Sequence, residues 1–138
     1  NLDPDPLPIW SRAEKAFKKA VEIDEKWGEA WLRLGGVRMH VGAYLRGLGK
    51  ENPVKDLRQA IEDVNKAMTL GSRTYMTYSI RSSCYFNLGR HYEFSKQPEK
   101  CRTAYQAGLK DYQTTIRLNP GMKGQLEEII RDIESRIK

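Results

Sequence analysis

Apolar residues recur at helical spacing along almost the whole chain. In the stretch AEKAFKKAVEID, from Ala13 to Asp24, small and apolar residues recur three or four positions apart, and lysines and acidic residues occupy the remaining positions. This pattern is typical of an amphipathic helix that packs one side against a neighbour. The same skeleton returns 47 residues later in AIEDVNKAMTLG, from Ala60 to Gly71. The chain therefore contains an internal repeat.

The repeat extends beyond this one helix. With the same offset of 47 residues, the matched pairs are Pro6 and Pro53, Trp31 and Tyr78, and Gly42 and Gly89. With an offset of 48, they are Val64 and Tyr112, Ala67 and Thr115, and Leu70 and Leu118. One helix pair cannot bury its own apolar face, and stacked copies form a continuous core. The sequence therefore predicts stacked helix pairs.

The hydrophobic pattern predicts six helices, over residues 7–25, 28–48, 53–70, 73–96, 98–118 and 121–137. Partner helices turn at GKENP and SKQP, where a proline suits the first turn of the next helix. The stretches that follow Gly42 and Gly89 keep apolar residues at helical spacing, which predicts longer helices rather than loops. In the last helix the apolar face is formed by Leu126, Ile130, Ile133 and Ile137. This face predicts a C-terminal capping helix, with dimerisation as the alternative.

Three short motifs carry a resemblance to a known family. AWLRLGG at Ala30–Gly36, AEKAFKKA at Ala13–Ala20 and AIEDVNKA at Ala60–Ala67 resemble the two halves of the tetratricopeptide repeat (TPR). The resemblance implies an all-α fold, a right-handed superhelix of antiparallel helix pairs. It divides the chain into a partial repeat (7–25), repeat one (28–70), repeat two (73–118) and the capping helix (121–137).

The repeat length departs from the family pattern. The usual repeat has about 34 residues, whereas this chain repeats every 47 or 48. The longer form resembles repeats in some large multidomain bacterial signalling proteins, including proteins that carry a kinase domain. The chain starts NLDPDPLP without a Met, which predicts a fragment of a longer protein.

Composition predicts one soluble domain. The chain has 138 residues, of which 39% are hydrophobic and 30% charged, and no apolar run approaches the roughly 20 residues of a membrane span. Cys84 and Cys101 are expected on antiparallel helices at levels more than ~10 Å apart, beyond the reach of a disulfide. Two reduced thiols favour a cytoplasmic location.

Candidate chemistry is sparse. His40 and His91 are far apart in sequence, and Cys84 with His91 would supply only two of the four ligands that a structural zinc site needs. The acidic pairs Glu62–Asp63 and Glu127–Glu128 are expected on solvated faces. The sequence therefore predicts no catalytic residues, no metal site and no cofactor.

The resemblance implies a concave groove lined by the first helix of each pair, where such repeats bind peptides. Its candidate partner-binding residues are Leu32, Arg33, Met39, His40, Met76, Ser79, Ser83, Phe86, Asn87 and Arg90. The lysines and asparagines of the family's chaperone-binding clamp are absent, because Leu32, Gly36, Ser79 and Ser83 stand at those positions. We expect the groove to bind a protein or peptide segment of some acidic character, anchored at Met39 and Phe86 and paired with Arg33 and Arg90.

Two other functions compete with this interpretation. The net charge is +6, and basic residues interleave with tyrosines over residues 73–102, a pattern that can track phosphates and stack bases. Glu93 and Glu99 dilute this cluster, so nucleic-acid binding ranks below protein binding. The third possibility is a structural spacer beside a signalling domain. We expect a monomer or a weak dimer with no membrane contact.

Overall fold

The computed structural model describes residues 4–49 and 52–138, and all secondary structure in them is helical. The six α-helices are α1 (Leu7–Ile23), α2 (Gly28–Leu48), α3 (Val54–Thr69), α4 (Tyr75–Phe94), α5 (Pro98–Leu118) and α6 (Lys123–Arg136). Over these residues, the prediction of an all-α fold with six helices is confirmed. Residues 50 and 51 of the expected GKENP turn lie outside the described residues.

Helix ends differ from the prediction by only a few residues, for local reasons. α1 stops at Ile23, because Asp24 is extended and its carboxylate accepts the Lys26 amide at 3.1 Å. α4 starts at Tyr75, where a capping box joins Thr74 to Thr77. It ends at Phe94, shortly before Lys96, whose φ of 59° is left-handed. Reciprocal caps and a left-handed residue are ordinary helix boundaries.

The predicted last helix begins with a different geometry. Residues Pro120–Met122 form a short 3-10 helix, in which the Asn119 side chain accepts the Gly121 amide at 3.2 Å. Pro120 has no N–H to donate, so a tight first turn leaves no donor without a partner there. α6 follows directly and contacts α5.

Neighbouring helices pack in a regular order. α2 contacts α1, α3 and α4, whereas α4 contacts α2, α3 and α5. No Cα atom of α3 lies within 8 Å of a Cα atom of α5. The even-numbered helices α2 and α4 are therefore adjacent, and the odd-numbered helices are separated by them.

The two helix pairs use the same close contacts. A Cβ on Gly42 would lie 2.6 Å from the Leu57 side chain, and a Cβ on Gly89 would lie 2.5 Å from the Tyr105 ring. These contacts are equivalent under the repeat offsets. Because glycine has no side chain, Gly42 lets α2 and α3 pack closely, and Gly89 does the same for α4 and α5. The stretches after both glycines are helical, as predicted.

The C-terminal helix covers the last pair with its apolar face. Ile133 is fully buried against Tyr105 and Tyr112, while Ile129 and Ile130 pack at the edge of this cluster. Glu127, Glu128, Arg131 and Ser135 are exposed. This distribution leaves a polar outer face at the C-terminal end of the described chain.

Candidate functional site

Four of the ten predicted residues line one cavity of about 240 Å³. They are Leu32, Arg33 and His40 on α2 and Met76 on α4. Phe17 of α1 lines it as well, so the cavity lies on α2 between α1 and α4. We call it the α2 cavity.

Its walls are partly occupied by contacts within the protein. Arg33 donates to the Glu29 carboxylate at 3.1 Å, and His40 stacks on Trp10 with ring centroids 5.7 Å apart. Met76 is the most accessible apolar wall, with 51% of its surface exposed. The α2 cavity therefore offers a methionine thioether, a paired arginine and a stacked imidazole.

The other six predicted residues do not line this cavity. Asn87 is buried, accepts from Arg46 at 2.6 Å and donates to the Ser83 carbonyl at 2.8 Å. Burial raises the pKa of the Tyr112 hydroxyl on α5, and the neighbouring Ser83 hydroxyl partly opposes this shift. Phe86 packs on Tyr105 with centroids 6.2 Å apart. These three side chains already make contacts within the protein, and Phe86 is half-buried, so its role as an anchor stays a prediction.

Leu32 is less accessible than Phe86. Only 4% of its surface is exposed, because it packs in a cluster with Val64, Ala67 and Met68. It forms the floor of the α2 cavity rather than a reachable contact. Met39 and Ser79 are half-buried and do not line this cavity.

Arg90 lines a separate cavity of about 490 Å³ at the end of α2, together with Arg46, His91 and Phe94. Burial, followed by the nearby charge of Arg90, lowers the pKa of Arg46. Glu93 also lines this cavity and lies 3.8 Å from Arg90. Arg90 and Arg33, the two arginines predicted to pair with an acidic partner, therefore line different cavities.

Buried ion pairs between partner helices are the feature that sequence reasoning missed. Asp63 is 1% exposed and accepts from Arg38 at 2.8 Å, so its expected position on a solvated face is wrong. Asp111, its counterpart 48 residues later, accepts from Arg81 at 2.7 and 2.9 Å. A carboxylate repeated within an apolar helix face was the available signal.

Each pair contains a group whose pKa is raised, which disfavours the charge of Asp63 and favours that of Arg81. Burial raises the pKa of Asp63, against the opposing hydrogen bond and charge of Arg38. The hydrogen bond to Asp111 raises the pKa of Arg81, which holds that guanidinium in its charged form. Burial, with the Asp63 and Asp111 carboxylates nearby, also raises the pKa of the Cys84 thiol. Cys84 is therefore a poor nucleophile.

The most spacious of these cavities, about 550 Å³, was not predicted. It lies between α3 and α5 over α4 and is lined on α4 by Tyr85, Leu88 and Tyr92. Burial raises the pKa of Tyr85, which the charge of Arg81 partly opposes. We call this cavity the α3–α5 groove.

The remaining side-chain chemistry is limited within the described residues. Both cysteines are free, Cys84 buried and Cys101 half-buried. Residues 4–49 and 52–138 bring no three His, Cys, Asp or Glu side chains together around a position for a metal ion. None of the helices in this part of the chain has the length and apolar character that a membrane crossing requires.

Comparison with protein-family models, with curated proteins and with solved structures found no match to this chain. Its functional assignment therefore depends on the described geometry alone.

Proposed function

We propose that this chain is a non-catalytic adaptor or scaffold module that binds a protein or peptide segment on the face formed by α2 and α4. In this proposal the helices form a TPR-like superhelix, and α2 and α4 line its concave side. The α2 cavity carries the proposal, since it brings together three exposed predicted residues from two successive repeats, Arg33, His40 and Met76, above the buried Leu32.

The repeated contacts support this architecture. Gly35 lies against Ala60, where an added Cβ would meet the Ala60 carbonyl oxygen at 3.1 Å. In the next pair, a Cβ on Gly108 would meet the Ser82 carbonyl oxygen at 3.4 Å. The offsets relate Gly35 to Ser82 and Ala60 to Gly108. Equivalent small residues thus join both pairs, as expected of a stacked repeat.

The partner segment would place an apolar side chain against Met76 and an acidic group near Arg33. Met76 supplies a flexible, polarisable surface. Arg33 can exchange its exposed pairing with Glu29 for a partner carboxylate, because an exposed ion pair of this kind contributes only about 0.5 kcal/mol.

Site-specific photo-crosslinking tests this proposal. A benzophenone amino acid replaces Met76 in the α2 cavity, and a matched control replaces Thr69, which is exposed on α3. Both proteins are irradiated in a lysate of the source organism, with and without nuclease. We expect a discrete protein adduct from position 76 alone. Nuclease-sensitive adducts from both positions would instead indicate nucleic-acid binding, and no adduct would favour a spacer.

A further inference from the structure

The α3–α5 groove differs from the equivalent space one repeat earlier. Between α1 and α3, Arg38 of α2 lies 3.8 Å from Glu14 of α1 and 2.8 Å from Asp63 of α3. Gln59 also donates to Asp63 at 3.2 Å. A network of four polar side chains therefore occupies that space.

Three of these positions change to less polar or smaller residues in the second repeat. The offsets of 47 and 48 place Ile61 for Glu14, Tyr85 for Arg38 and Ala107 for Gln59. All three replacements line the α3–α5 groove. Charged and polar side chains therefore fill the space between α1 and α3. The equivalent space between α3 and α5 is open and has a mainly apolar floor.

The displaced charge explains why the groove stays open. Asp111 keeps the position of Asp63, but its arginine is Arg81, four residues before Tyr85 on α4. One helical turn is about 5.4 Å along the axis. The guanidinium that pairs with Asp111 is thereby moved one turn away from Tyr85, so Asp111 needs no cation at the Tyr85 position.

Two cations on opposite walls of the groove, one on α3 and one on α5, both contact Tyr92. Arg58 of α3 donates to the Tyr92 hydroxyl at 2.7 Å, and the Lys100 ammonium of α5 lies 5.7 Å from the centre of the same ring. Neither forms a salt bridge with a described residue, although Glu62 and Glu99 also line the groove. This part of the groove can accept a carboxylate from outside the chain.

We propose that the α3–α5 groove binds a peptide segment of a partner protein, with an apolar side chain over Tyr85 and Leu88 and a carboxylate between Arg58 and Lys100. A volume of about 550 Å³ holds several side chains and falls in the usual range of ligand sites. The groove shares no lining residue with the α2 cavity. The site is thus separate from the one in the proposed function.

Two synthetic helical peptides of about twelve residues are the probes, long enough for about three helical turns. Each carries two leucines four positions apart, and glutamates flank the leucines in one peptide and lysines in the other. Each is titrated into the isotope-labelled chain while backbone amide resonances are followed. We expect the glutamate peptide to shift the amides of Tyr85, Leu88 and Ala104 and to bind about tenfold more tightly than the lysine peptide.

Two variants test the origin of that preference. Arg58→Glu with Lys100→Glu changes exposed side chains and should reverse the order of the two peptides. Ile61→Glu with Tyr85→Arg and Ala107→Gln installs the first-repeat residues and should reduce binding at least tenfold. Thermal melting followed by circular dichroism reports whether this triple variant folds, and the exposed charge pair tests the proposal independently of it.

Met76→Glu is the control variant, because Met76 lines the α2 cavity and not the α3–α5 groove. It should leave binding of the glutamate peptide unchanged while weakening any partner of the α2 cavity. Binding of neither peptide, shifts confined to other amides, or loss through Met76→Glu alone would each overturn the α3–α5 assignment.

Discussion

Helices α1 and α3 carry the same sequence pattern but are buried to different extents. In α3, Ala60, Val64 and Ala67 are completely buried. Their counterparts in α1 are Ala13, Phe17 and Ala20, and all three are half-buried. α3 contacts α2 on one side and α4 on the other, whereas α1 contacts only α2 within the described residues.

The difference shows that place in the stack, rather than the pattern itself, determines how much of a helix is covered. Periodicity identifies the apolar face, because side chains three or four positions apart share one side of a helix. Coverage depends on neighbouring helices, which the pattern of one helix does not contain. Identical substitutions in α1 and α3 should therefore have unequal effects.

The largest contrast is expected from added volume. Ala60→Leu would force three heavy atoms between α3 and Gly35 and should lower the free energy of unfolding by about 3 kcal/mol. Ala13→Leu has room at its half-buried position and should change it by less than about 0.5 kcal/mol. Urea denaturation of both variants measures the two values. Equal losses would mean that α1 is as tightly packed as α3.

Truncating a larger side chain usually costs more stability, but here we expect the smaller one to cost more. Val64→Ala empties a fully buried site and should cost about 2 kcal/mol. Phe17→Ala removes a larger side chain from a half-buried site and should cost only about 1 kcal/mol. Thermal unfolding of the pair, with wild type as the reference, decides between them. A greater loss for Phe17→Ala would contradict the assigned burial.

The smallest expected effect concerns a difference in charge between the two helices. α3 carries the buried Asp63 at the position where α1 carries the exposed Ala16. Burial raises the pKa of Asp63, so the folded protein holds this proton more tightly than the unfolded chain. The resulting stability is fully present below the unfolded pKa of about 3.9 and is lost as pH rises through the folded pKa.

Asp63→Asn removes this titration and serves as the reference for wild type. We expect the stability of wild type relative to the variant to increase as the pH is lowered from about 7 to about 4. Urea midpoints measured across that range test the direction. A relative stability that falls with decreasing pH would mean that Arg38 outweighs burial and keeps the Asp63 pKa low.

The helices and their order could be predicted because their signals are local. The spacing of apolar residues marks the helices, and a proline such as Pro98 marks where one begins. A glycine such as Gly89 marks a close contact between helices. The site could not be predicted equally well. Phe86 occupies a groove position by sequence, but its contact with Tyr105 depends on the path of α5. Asp63 likewise looked solvated, since its partner Arg38 is 25 residues away on another helix.

Arg81 sets a limit on how the chain can be lengthened or shortened by whole repeats. Its guanidinium donates to Asn65 on α3 at 2.9 Å and to Asp111 on α5 at 2.7 Å. A recombination event that separated Asp111 from Arg81 would leave a buried charge without a partner, which typically costs about 3–5 kcal/mol. Exchange of a 47- or 48-residue unit is therefore tolerated best where these three residues are inherited together.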